Sequence, residues 1–424
     1  RMVTARPRSI WGVTKPRAAG RGDGREASVT VWEEVVGQPG AVEVLREAAT
    51  AAERVVTGGS PVPGGMTHAW LFTGPPGSGR SVAARAFAAA LQCERDGAGC
   101  GQCPACHQVR AGTHPDVHLV VPEGLSIAVQ EMRSIVLTAA RLPVLGRWQV
   151  VLVEDADRLT EAASNALLKA VEEPPSRTVF LLCAPSTHPD DIAVTIRSRC
   201  RVVMLVTPPA DAVAEVLARR DGVDPATADW AAQAAQGHVG RARRLARDHE
   251  ARVRRRAVLC VPASLTTLSA CFTAADQLVT AAEQEAAALS AELDEPETEA
   301  LKQALGAGGT GKGAAAATRG SAGALRELER RQRSRTTRAQ RDALDRALVD
   351  LAAFYRDVLL AQSDAAVRPA HPDAVADARR LAAALPPEGV LDRLDAVLEC
   401  REALELNVKP RIAVEAMTVA LRLP

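Results

Sequence analysis

The chain has 424 residues, with 52 Lys and Arg against 51 Asp and Glu, for a formal net charge of +1. That length accommodates two or three domains, and the even balance argues against a general nucleic-acid binder. No apolar run approaches the roughly 18 residues of a spanning helix, and no early segment resembles a signal peptide. The expectation is a cytoplasmic protein with no membrane partner. Four of the nine cysteines fall within 14 positions, which is local metal-site arithmetic and not a secreted disulfide framework.

Residues 1–28 are rich in Arg, Gly and Pro with few acidic partners, and read as a disordered basic extension. An α/β region is expected over 29–207. It opens on Val31–Gln38, and Pro39 to Val56 has the spacing of an amphipathic helix. Ala69-Trp70-Leu71-Phe72-Thr73 is an apolar strand leading into Gly74-Pro75-Pro76-Gly77-Ser78-Gly79-Arg80-Ser81, and Val82 to Leu91 is periodic like a helix. Strand, glycine loop and helix form the context of a phosphate-binding loop, in which backbone N–H groups converge on phosphate at a helix N-terminus. Gly74, Gly77, Gly79, Arg80 and Ser81 are therefore candidate nucleotide-binding residues. The loop is degenerate, because Arg80 stands where the motif has Lys, and a planar guanidinium meets phosphates differently from a compact ammonium.

Cys93, Cys100, Cys103 and Cys106 follow, with Gly99 and Gly101 permitting a tight knuckle. Four thiolates can surround one zinc ion tetrahedrally and leave no open position, so the expected role is structural. An iron–sulfur cluster or reduced thiols fit the same residues. His107 and His114 are nearby, but the four-thiol set is complete without them. Cys183, Cys260, Cys271 and Cys400 read as small buried hydrophobes.

Helix is expected over Ser126 to Ala140, strand over Trp148 to Val153, helix over Glu161 to Val171, strand over Thr178 to Cys183, and strand over Val202 to Val206. This alternation predicts a parallel sheet covered by helices. Glu154-Asp155, at the exit of the second strand, sits where nucleoside triphosphatases hold magnesium and prepare the attacking water, but in inverted order. The swap displaces each carboxylate by about one methylene, enough to disturb hydrolysis. Ser198-Arg199-Cys200 precedes the last strand and is flanked by Arg197 and Arg201. Arg199 fits a guanidinium aimed at a neighbour's γ-phosphate, and a solvated basic edge fits it too.

Pro208-Pro209 marks a boundary. Residues 208–250 read as a small helical domain, and 251–424 as all-helical, although Val258 to Leu268 is ambiguous. Pro296 is expected to interrupt the helix that starts near Ala274, leaving Glu297 to Leu305 as a separate short helix at best. Residues 306–323 read as a flexible interruption. Its Gly-rich run mimics a phosphate loop, but no strand precedes it and Gly313 replaces the hydroxyl residue. The arginines of Gly237–Arg244 suit either phosphate contact or a solvated helix surface.

Val36-Gly37-Gln38, His68 to Gly77, the four-cysteine insert, Asn165 to Pro175 and Thr195 to Cys200 together resemble the delta-prime family of bacterial DNA polymerase III clamp-loader subunits. The likeness runs from about Val31 to Arg247 and suggests a high-GC source. It implies an AAA+ P-loop module with a zinc insert, then a helical lid and an all-α collar that joins subunits into a ring. It further implies partners: gamma/tau ATPase subunits, a delta subunit, a sliding clamp and primer–template DNA. ATP and magnesium would be held mainly by the neighbouring subunits. By the same resemblance Arg199 is a catalytic finger acting in trans, Ser186 or Thr187 lies near the sensor position, and Gly240 replaces the lid arginine. An active gamma/tau-like ATPase and a structural zinc adaptor are the alternative readings.

Overall fold

The computed structural model describes residues 30–60, 63–95, 98–305 and 314–422, with side chains of 314–322 outside that set. The basic extension over 1–28 and the Gly-rich run over 306–313 lie outside the described residues. Two compact units emerge. The first holds described residues up to Pro75, Gly79–Val121 and Ala128–Val206, and the second holds Thr207 onward with Pro76–Ser78 and Pro122–Ile127.

The first unit is a five-stranded parallel sheet with helices. In chain order its elements are α1 (Pro39–Val56), β1 (Ala69–Thr73), α2 (Arg80–Leu91), α3 (Pro104–Arg110), β2 (Val117–Val120), α4 (Val129–Ala139), β3 (Gln149–Val153), α5 (Glu161–Glu172), β4 (Thr178–Ala184), α6 (Val194–Arg197) and β5 (Arg201–Met204). The strands lie in the order β2-β3-β4-β1-β5. Every residue of β1, β3 and β4 is buried, as central parallel strands covered on both faces require. β5 is only partly buried, as an edge strand can be. β2, the other edge strand, escapes a hydrophobicity reading because it has four residues, includes His118 and buries only Val120 fully. Trp70 packs edge-on against Phe87 at 5.0 Å and donates its indole N–H to the Thr67 carbonyl at 2.9 Å. This supplies the partner that a buried Trp needs.

The second unit is helical. α7 (Ala210–Asp221), α8 (Pro225–Ala234) and α9 (Val239–Arg247) surround a small core of Val213, Leu217, Ala231 and Ala242. α10 (His249–Ser264), α11 (Leu268–Ala304), α12 (Ala314–Gln362), α13 (Val375–Ala384), α14 (Pro387–Glu405) and α15 (Pro410–Ala420) follow. The face of α12 carrying Leu344, Leu348, Leu351, Tyr355 and Val358 is buried at helical spacing, in one core with Cys271 and Leu278 of α11 and Val397 of α14.

Three expectations are corrected here. α11 runs unbroken through Pro296. The antiparallel neighbour α12 holds the segment on both sides of the proline: Arg335 bonds Asp294 and Glu297 at 2.6 Å, and Gln332 donates to the Asp294 carbonyl at 3.1 Å. Tertiary bonds thus outweigh the local cost of the missing N–H. The interruption ends early, because 314–323 is already helical in α12. Cys260 is exposed, facing away from the core that buries Leu259 beside it, whereas Cys183, Cys271 and Cys400 are buried. The ambiguous stretch from Val258 is helical as far as Ser264.

Candidate functional site

β4 lies between β1 and β3, so the loop after β1 and the acidic exit of β3 emerge on either side of its C-terminal end. Gly74 N–H donates to the Pro185 carbonyl at 3.1 Å, tying the loop to the chain that leaves β4. Gly79 caps α2 with φ 90°, a left-handed conformation suited to glycine. Arg80, Ser81, Glu154 and Asp155 all act on the Cys183 thiol, so the candidate nucleotide residues do converge. Burial pushes that thiol up, which makes it inert packing.

The charges of Arg80 and Glu154 are already matched to protein groups. Arg80 Nη1 donates to the Gly74 carbonyl at 2.5 Å, folding the guanidinium back onto its own loop. Arg85 of α2 bonds Glu154 Oε1 at 2.6 Å. Asp155 adopts φ 51°, and its carboxylate lies 4.0 Å from Arg158. Asp157 is an acid that the motif reading had not singled out. Its Oδ1 is buried without a hydrogen-bond partner. Burial pushes its carboxyl up, Asp155 adds to the effect, and Arg158 and Arg80 partly offset it. Its signal was the Asp at the end of the acidic run.

Arg199 lies elsewhere. It shares a shallow concavity of about 470 Å³ with His68, Val171, Glu172 and Glu173. His68 immediately precedes β1, whereas the phosphate loop follows it. Five residues at about 3.3 Å each separate these ends by roughly 17 Å. Arg199 is exposed, with Nη2 on Glu172 Oε1 at 2.7 Å and Nη1 on the Thr195 carbonyl at 2.8 Å. The flanking arginines are engaged differently: Arg197 reaches the Thr187 carbonyl at 3.2 Å, and Arg201 lies 5.0 Å over the Trp70 ring. Cys200 is half-buried, and burial pushes its thiol up to about 12. Ser186 donates to Asp191 Oδ2 at 2.6 Å, so that hydroxyl serves the turn after β4.

The four clustered cysteines bring their Sγ atoms within 4.8 Å of one another, close enough to hold one metal ion. The backbone N–H of Cys100 points at Cys93 Sγ at 3.4 Å, that of Cys103 at Cys100 Sγ at 3.4 Å, and that of Cys106 at Cys103 Sγ at 3.5 Å. Such donors favour thiolates. Burial alone would raise the Cys100 thiol, but the backbone N–H groups of Gln102 and Cys103 and the neighbouring Cys93 and Cys103 thiols bring it down to about 7. Burial pushes Cys93 and Cys106 up, and a cation bound among the sulfurs would act against that shift. Gly99 has φ 70°, and a Cβ there would lie 2.5 Å from Val31 Cγ2, so the knuckle needs glycine for two reasons. Trp32 seals it by donating Nε1–H to the Ala98 carbonyl at 2.8 Å.

The arginines of α9 bind protein carboxylates. Arg241 pairs with buried Asp350, Arg243 with Asp221 at 2.7 Å, and Arg244 with Glu285 at 2.6 Å. Among the described residues, no helix is long and apolar enough to cross a membrane.

Residues 62–209 match the family model described as DNA polymerase III, delta subunit. Over 165 residues the chain is 41% identical to the DNA polymerase III subunit delta' of Pseudomonas aeruginosa, covering 38% of this chain and 50% of that one. Through this region the chain is similar to the delta-prime subunits of DNA polymerase III. The Escherichia coli delta' protein is 38% identical over 146 residues, 34% of this chain and 43% of its own. The Bacillus subtilis tau subunit is 33% identical over 172 residues, 40% of this chain and 28% of its own. The chain spans about half the length of the delta-prime relatives it matches.

Proposed function

We propose that this chain is a non-hydrolysing delta-prime subunit of a bacterial replicative clamp loader, and that Arg199 is an arginine finger for a neighbouring ATPase subunit. The placement of Arg199 carries the reading. An exposed guanidinium at the start of β1 is a strand's length from the phosphate loop at its other end, so its natural target is a phosphate on another molecule. There it would stabilise the charge that develops during phosphoryl transfer. Three features support loss of hydrolysis by the chain itself. Arg80 is folded onto Gly74, Glu154 is bound by Arg85, and Gly240 precedes an Arg241 already committed to Asp350.

On this reading Cys93, Cys100, Cys103 and Cys106 hold a structural zinc ion. Residues 208–250 form the lid and 251–424 the collar, and the partners are gamma/tau and delta subunits. The clamp and primer–template DNA are reached through the assembly, in the cytoplasm. The test is reconstitution with the ATPase subunits, measuring DNA-stimulated turnover. Arg199→Ala should lower turnover by about 10³-fold at the site it serves while the complex still assembles. Unchanged turnover in an assembled complex would remove the finger role.

The likeness to tau favours a second reading, an ATPase active by itself. Robust ATP hydrolysis by the purified chain, abolished in Ser81→Ala, would establish it.

A further inference from the structure

We infer that Glu172 is a positioning residue for Arg199: its carboxylate parks the guanidinium, and a neighbour's γ-phosphate must displace it. This rests on the trans-acting role proposed above. Arg199 is held in two ways. Nη1 bonds the Thr195 carbonyl at 2.8 Å and the Ser198 hydroxyl at 3.2 Å, both on its own turn of chain. Nη2 reaches a different element, bonding Glu172 Oε1 at 2.7 Å at the last residue of α5. That helix end already carries partial negative charge, and Glu173 lines the same concavity, so the position suits a cation.

The parking bond is also exchangeable. The two side chains are 39% and 40% exposed, and an exposed pair shifts an equilibrium by only about 1.5- to 5-fold. A γ-phosphate offers more charge and several acceptor oxygens to the same planar fork, so it outcompetes one carboxylate. The local bonds from Nη1 can persist during the exchange, which keeps the head aimed while its second amino group changes partner. Arg197 and Arg201 have carbonyls and a ring as partners, so neither shows this competition.

The experiment is an ATP titration of the reconstituted complex carrying wild-type chain, Glu172→Gln, Arg199→Ala or both. The quantity followed is the Arg199-dependent part of turnover, the rate in excess of the Arg199→Ala complex. Glu172→Gln removes the charge and keeps the shape. It should lower the ATP concentration at half-saturation by about 2- to 5-fold, with the maximal rate held within about twofold. On the Arg199→Ala background it should do nothing. An unchanged or raised half-saturation point would overturn the inference, as would a collapse of the maximal rate or a shift that persists without Arg199. If Arg199→Ala alone has no effect, the finger role falls and this inference falls with it. A strong Arg199→Ala defect with a silent Glu172→Gln overturns only the parking role.

Discussion

Asp116 sits at 1% exposure, yet its carboxylate is provided for. Oδ1 accepts from Val144 N–H at 2.7 Å, and Oδ2 accepts from Leu145 N–H at 2.8 Å and from Gly146 N–H. Burial alone would raise this carboxyl, but the three backbone donors outweigh it and hold the group below its usual range. Asp116→Asn removes the anionic acceptor from all three donors, turns an NH2 toward at least one of them, and should cost about 1–3 kcal/mol, seen as faster amide exchange at 144–146. The sign is that of a depressed acid: the stabilisation is present above the unfolded carboxylate pKa of about 3.9 and lost as pH falls through the folded value.

His371 is acid-sensitive too, over a higher pH range. It is buried, its Nδ1 faces the Arg255 Nη2 donor at 2.9 Å, and its Nε2 bonds the Asp350 carbonyl at 3.0 Å. Arg255 can only donate, so Nδ1 must accept and the ring must be the neutral Nε2–H tautomer. Burial lowers its pKa first and Arg255 adds to that, while Asp350 and Asp357 partly oppose them. The unfolded chain therefore takes up a proton near pH 6.5 that the folded ring refuses. Stability should be full above that pH and decline below it. A thermal melt of the second unit should show Tm falling between about pH 7.5 and 5.5, with a shallower slope in His371→Gln. A Tm that rises on acidification would contradict this assignment.

At the scale of elements, the four-cysteine knuckle is the clearest case of structure without a core of its own. α3 has seven residues, far below the length at which an isolated helix is stable. Its N-cap is Cys103, whose sulfur accepts from Cys106 N–H, so cap and candidate metal ligand are one group. Cys100→Ser should take bound zinc from about one ion per chain to none, by elemental analysis. It should also raise exchange across 98–110 while β1 and β4 stay protected. Full metal content in the variant would refute the four-thiol site.

The spacing of these cysteines was legible because metal ligation imposes a fixed local pattern. β2 was not, because an edge strand needs only half its side chains buried. Nor was the course of α11 through Pro296, because the bonds that hold it come from Arg335 and Gln332, dozens of positions away.

For the molecule as a whole, the sheet order explains why the two sets of candidate residues cannot form one centre. The degenerate nucleotide cluster gathers at the C-terminal ends of β1, β3 and β4, and Arg199 stands beside the start of β1. On the proposed function, the chain purified alone should show no ATP turnover above background, and its contribution should appear on assembly with an ATPase subunit, as Arg199-dependent rate.

The sequence by itself determined the parallel α/β module, the strand–loop–helix context, the metal-type cysteine spacing and the identity of the odd residues Arg80, Glu154, Asp155 and Arg199. These are carried by local periodicity, turn chemistry and motif spacing. Only the tertiary structure decided what their charges do. Arg80 turns onto Gly74, Glu154 meets Arg85, Arg241 is taken by Asp350, and Arg199 rests on Glu172. The physical reason is that a charge's partner is set by which distant segments folding brings within a few ångströms, and no local pattern encodes that distance.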